Sequence, residues 1–173
     1  GPAADRDACN MTAQGPRKQV DAAYAPGRLL QAREFHESAR SLITLGQSRS
    51  YNGAVTLMVA AAIAYVDAMT ARTAGVVNQQ DHQAASRLLR EVLGRRLPDR
   101  QEKFYRRLLG RKDEVNYGAR STTLEDAQRL LAELDAKFLG PGFVPPSRQE
   151  VVERYAEYVE LMLASGHRLP LML

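Results

Sequence analysis

Apolar residues recur along this chain every three to four positions, in segments broken by glycine, proline or short polar runs. Leu29, Ala32, Phe35, Ala39, Leu42 and Ile43 follow one another at steps of 3, 3, 4, 3 and 1. That spacing lays a single stripe along a helix over 27–45, which Gly46 ends. The next segment, 50–74, is apolar nearly all round: Val55, Leu57, Met58, Val59, Ile63, Tyr65, Val66 and Met69. A helix without a polar face belongs in the centre of a bundle. Its run Ala60-Ala61-Ala62 has so little side-chain bulk that a neighbouring helix can approach closely.

Cap signals divide the rest. Residues 75–80 read as a loop. Asp81 suits the N-cap of a third helix that Gly94 closes. Pro98-Asp99 opens a fourth helix to about 117, with Asp99 and Glu102 at capping-pair spacing and Gly110 as a point of bending. Thr122 with Glu125, and Ser147 with Glu150, have capping-box spacing for a fifth helix to 140 and a last one to about 165. No β alternation of useful length, internal repeat or low-complexity tract is present. The pattern predicts an all-α fold: a flexible leader over 1–25, a four/five-helix bundle over 26–140, and a Pro-rich hinge with an additional C-terminal helix over 141–173.

The 173 residues suit one domain. A chain of this length buries about 70% of its unfolded surface, enough for a core of its own. Its one cysteine, Cys9, rules out an intrachain disulfide and a thiolate metal cluster, as expected in a reducing cytoplasm. The apolar run 53–66 is shorter than the roughly 20 residues of a membrane span, so no membrane insertion is expected. The first twenty residues lack the apolar stretch of a secretory leader. Gly1-Pro2 has the look of a tag remnant, and Met11 suits a natural start. Phosphate-loop, dinucleotide, zinc-protease and nucleophile-elbow motifs are missing, so no cofactor is expected.

Charge changes the picture more than composition does. The formal net charge is +4, yet residues 87–120 alone hold eleven Lys/Arg against five acids, a surplus of six. A basic surface so concentrated is the footprint of a polyanionic partner, or else a solvated arginine-rich face. Arg96, Arg100, Lys103 and Arg107 recur at 4, 3 and 4 and form one stripe, the best nucleic-acid surface in the chain. It lacks interleaved aromatics for base stacking. Arg111, Lys112, Glu114, Asn116, Tyr117 and Arg120 form the densest polar cluster, either a phosphate-contacting cleft or a salt-bridge network.

Asp67 and Arg72 interrupt the apolar helix. Buried charges need partners, and Asp67 is expected to pair with Arg111 or Lys112. Asp81-His82 offers a base beside a carboxylate, or simply a surface residue after its cap. His36, on a charged helix face, and His167 lie far from it in sequence, so no metal site is expected. The final helix carries an apolar strip, Val151, Val152, Tyr155, Tyr158, Val159, Leu161 and Met162, and the tail Leu169-Pro-Leu-Met-Leu173 is apolar. Both favour association, and a homodimer is expected.

Residues 29–138 resemble the HEPN superfamily of small helical bundles. The resemblance rests on Ser50-Tyr-Asn-Gly-Ala, on the helix Ala60-Ala-Ala-Ile-Ala-Tyr-Val-Asp-Ala-Met-Thr-Ala-Arg72, on Asp81-His82 and Leu88-Leu89, on Leu108-Leu-Gly-Arg-Lys-Asp-Glu-Val-Asn-Tyr117, and on Ser121-Thr-Thr-Leu-Glu-Asp-Ala127. It implies a HEPN-like four/five-helix bundle. Many HEPN proteins are metal-independent ribonucleases, and others are non-catalytic partners of nucleotidyltransferases in toxin–antitoxin pairs. The catalytic ones carry an Arg followed after four to six residues by a His. Here the run starts at Arg111, and Tyr117 stands where the His belongs. Imidazole titrates near neutral pH and phenol near 10, so Tyr117 serves poorly as the base.

The resemblance therefore implies a non-catalytic interaction module that binds RNA or a nucleotidyltransferase. The alternatives are a divergent ribonuclease with Arg111, Tyr117 and His82 as its candidate residues, or a dimeric scaffold. A weaker similarity joins Pro145-Pro-Ser-Arg-Gln-Glu-Val-Val-Glu-Arg-Tyr155 to the C-terminal helical region of tRNA-dihydrouridine synthases. The flavin-bearing barrel of those enzymes is absent, so no such activity is expected.

Overall fold

The apolar helix of the sequence is the axis of the structure, a computed structural model that describes residues 17–79 and 81–166. This helix, α2 (Asn52–Ala74), buries most of its 23 residues. Four others surround it: α1 (Tyr24–Leu45), α3 (His82–Leu93), α4 (Asp99–Tyr117) and α5 (Leu124–Phe138). The most extensive contact is between α1 and α2. Ala61, Ala62 and Ala64 are fully covered, as are Ala32 and Ala39 of α1, and small side chains on both helices let the backbones come close. By length and composition α2 is apolar enough to cross a membrane, with a mean hydropathy of 1.7 over its best window, but 78% of that window is buried inside the bundle. The fold is all-α, with a final helix α6 (Arg148–Ala164) beyond the bundle.

The structure corrects the sequence reading at several joints. Arg17–Gln19 (β1) and Val76–Asn78 (β2) form a short antiparallel ribbon, pairing Arg17 with Asn78 and Gln19 with Val76. Three residues are too few to show alternation, so the two strands fall within the expected leader and loop. It is anchored by Val77, 1% exposed, and by the Val20 N–H donating to the Gly75 carbonyl at 2.9 Å. Helix α1 starts at Tyr24, three residues early, because the Asp21 carboxylate accepts from the Ala23 and Tyr24 N–H groups. Residues 1–16 of the expected leader lie outside the described residues.

Asp81 and the Ser147–Glu150 box cap as expected, the latter with both reciprocal bonds. The cap before α5 sits one residue later, at Thr123, whose hydroxyl accepts from the Asp126 N–H without a reciprocal bond. Thr122 is instead buried, its hydroxyl and N–H both donating to Asn52 Oδ1. Asp99 and Glu102 form no cap; Pro98 is the N-cap, and both acids bind Arg90. Helix α4 stays hydrogen-bonded through Gly110. Helix α6 buries only Val151, and the Arg148 guanidinium ties its start to the Thr44 carbonyl at 3.1 Å.

Candidate nucleic-acid interface

Helix α4 buries Phe104, Tyr105, Leu108 and Leu109 against the core. The residues three and four apart on its opposite side, Arg100, Lys103 and Arg107, are therefore exposed along one line. Arg96 is exposed in the 3₁₀ turn Gly94–Arg96, and the extended Leu97-Pro98 step separates it from α4, so the helical spacing that joined it to the stripe does not hold there. Acids of the same stretch are engaged elsewhere. Glu91 pairs with Arg17 at 2.6 Å, Asp99 with Arg90 at 2.9 Å, and Glu102 with Arg90 and Arg106. Arg107 pairs with Glu133 of α5. Arg95, Arg96, Arg100 and Lys103 have no ion pair among the described residues, which leaves a ridge of uncompensated positive charge.

One turn past Arg107, Arg111 reaches a polar pocket of about 260 Å³, lined also by Glu114, Val115, Arg120, Ser121, Thr122 and Asp126. The structure thus brings Arg111 and Arg120 together. Arg111 Nε lies 3.3 Å from Glu114 but makes no hydrogen bond, although that nitrogen is buried. Two acids balance the two arginines, so the pocket is polar rather than strongly cationic.

Lys112 leaves α4 on a different side. It is exposed, and its charge acts on His82. Burial lowers the His82 pKa, and Lys112 and Arg28 lower it further against the opposing pull of Asp81. His82 is held neutral at pH 7. No hydrogen bond or ion pair among the described residues joins His82, Arg111 and Tyr117. Tyr117 is 87% exposed at the end of α4. The three candidate catalytic residues are not assembled into a common constellation here.

The expectation for Asp67 is corrected. Its partner is Arg28 of α1, with Nε 3.0 Å and Nη2 2.9 Å from Oδ2, not Arg111 or Lys112. Burial raises the Asp67 carboxyl above its usual range despite that guanidinium. Beside it stands Tyr105, 1% exposed, whose hydroxyl has no hydrogen-bond partner among the described residues. Arg72, expected to be buried, is exposed on the last turn of α2, where its long side chain leaves the core.

The sequence reading missed His36. It is 1% exposed, not on a solvated face. Its Nε2 lies 2.7 Å from Asp135 Oδ1 and its Nδ1 2.9 Å from the Tyr65 hydroxyl. Arg40 completes the group with two bonds to Asp135, at 2.5 and 3.1 Å. Burial raises the Asp135 carboxyl, but bonds from His36 and Arg40 outweigh it and hold the group below the ordinary range. An ionised Asp135 only accepts, so His36 Nε2 donates to it, while Nδ1 lies against the Tyr65 hydroxyl. Desolvation pushes the Tyr65 phenol up to about 12, so Tyr65 keeps its proton. The four groups bolt α1, α2 and α5 together. The spacing of His36 and Arg40, four apart and therefore on one helix face, was the available signal.

No group of three metal-ligating side chains exists among the described residues, and His167 lies outside them. No protein-family model, curated protein or solved structure matches this chain.

Proposed function

We propose that this chain is a non-hydrolytic, HEPN-like helical interaction module of the toxin–antitoxin or stress type, working in the cytoplasm and binding RNA along the α4 ridge. The observation that carries the reading is the pairing pattern. The acids Glu91, Asp99 and Glu102 are all engaged by arginines off the ridge, so Arg95, Arg96, Arg100 and Lys103 face solvent with no counter-charge. Such a row binds phosphates without reading bases.

The test is binding of a fluorescent single-stranded RNA at several salt concentrations. Affinity should fall steeply with salt, and replacing the four unpaired cations by Gln should reduce the log–log slope by about 0.7 per cation. Intact binding with an unchanged slope would sink the reading. Failure to bind RNA at low salt, with retention on an acidic nucleotidyltransferase, would move the partner from RNA to protein. Failure of both leaves a scaffold.

One observation favours RNA cleavage as a second reading: a neutral His82 near pH 7 is in the base form. Cleavage lost equally in His82→Gln and Tyr117→Phe would support it. The assembly we propose is a homodimer, since Tyr155, Tyr158, Leu161 and Leu163 of α6 are exposed.

A further inference from the structure

A groove of about 780 Å³ lies away from the ridge, between the β1–α1 turn, the end of α2 and the end of α5. Its volume falls in the range of small-molecule sites, roughly 300–1,000 Å³. The floor is apolar: Leu29, Ala68, Met69, Phe138 and Leu139, with the ring of Tyr65. Tyr65 and Phe138 stack at 4.6 Å between centroids and 10° between planes, and they give the floor a flat aromatic part. Tyr65 cannot turn away, because its hydroxyl is held by the buried His36–Asp135 pair.

The rim has the opposite character. Arg33, Arg72 and Lys137 line it, and none has an ion pair among the described residues. The one acid in the lining, Asp21, is already engaged by the Ala23 and Tyr24 N–H groups. Arg72 and Lys137 also occupy the last turns of their helices, where a cation favours the helix dipole. That role does not require them to converge on one apolar cleft with Arg33, which sits in mid-helix on α1.

We propose that this groove binds a small amphipathic organic anion, its apolar body on the Tyr65–Phe138 floor and its carboxylate among Arg33, Arg72 and Lys137. The apolar body is desolvated against the floor, while the charged head stays at the mouth, where three cations meet it without themselves being buried. The class is set by this pairing: a neutral apolar molecule leaves the cations unused, and a polyanion leaves the floor uncovered. The site is separate from the ridge, so neither depends on the other.

The probe is decanoate, titrated calorimetrically below its micellar concentration, with decanol as the uncharged control. Methyl-labelled methionine provides a local readout, because Met69 lines the groove whereas Met58 is fully buried in the core. Decanoate should shift the Met69 signal and leave Met58 still. Replacing Arg33, Arg72 and Lys137 together by Gln should weaken decanoate by about tenfold or more, from three partly solvated charge contacts, and leave decanol unchanged. Ala25→Phe, which fills the groove and spares the cations, should weaken both. Circular dichroism of each variant separates lost folding from lost binding. No Met69 shift at millimolar decanoate overturns the proposal. So does equal binding to wild type and the triple variant, or self-association that moves Met69 without ligand.

Discussion

Asp135 and Asp67 are both buried acids opposite arginines, yet they carry different energetic weight. Asp135 faces Arg40 at 3% exposure and His36 at 1%, so Asp135→Asn strands two buried partners. Loss of about 3 kcal/mol is expected by urea denaturation. Its folded pKa is depressed, so its contribution is present above the unfolded value near 3.9 and is lost as pH falls through the lower folded value. The variant should lack that acid limb. Asp67 has the reverse sign: burial raises its folded pKa, so ionisation at neutral pH opposes folding. Asp67→Asn should cost less than Asp135→Asn, because Arg28 is a quarter exposed and can reach water. Tyr105→Phe should stabilise by about 1 kcal/mol, since it removes an unsatisfied buried hydroxyl. His82 has a lowered folded pKa, so its contribution is complete above about 6.5 and falls away as pH drops toward the folded value. Wild type should therefore lose more melting temperature than His82→Gln between pH 7.5 and 5.5. Sequence spacing located Asp67 and His82 but named the wrong partner for Asp67, because only the packing of α1 on α2 decides which basic side chain meets it.

Among the elements, α2 and α6 mark the extremes. Helix α2 touches four other helices, whereas α6 buries one residue and packs mainly on α1. Amide exchange should therefore be slowest in α2 and orders of magnitude faster in α6, which opens without unfolding the bundle. Protection of α6 that rises with protein concentration is the expected mark of the proposed homodimer. The end of α4 depends on Gly118 for a steric reason: a Cβ there would stand 2.4 Å from the Glu114 carbonyl oxygen. Gly118→Ala should shift the Arg120 segment and cost about 1–3 kcal/mol by denaturation. Helices were legible from periodicity, and the Asp81 and Ser147 caps from local side-chain chemistry. The failures came where a cap-type residue had a distant competitor, as Thr122 had in Asn52 and Glu102 had in Arg90.

The molecule as a whole separates its charged surfaces. The unpaired cations of the 3₁₀ turn and α4 and the groove between α1, α2 and α5 lie on different element sets, so anions of different chemistry should not compete. Saturating decanoate is expected to leave RNA affinity unchanged within a factor of about two. By itself the sequence determined the all-α class, the central place of α2 and the basic stripe of α4, because periodicity and local charge need no knowledge of what lies opposite. Only the tertiary structure decided which acids neutralise which arginines, why His36 is buried, and that Arg33, Arg72 and Lys137 converge. Those outcomes depend on side chains brought together from different helices, by packing that no local pattern encodes.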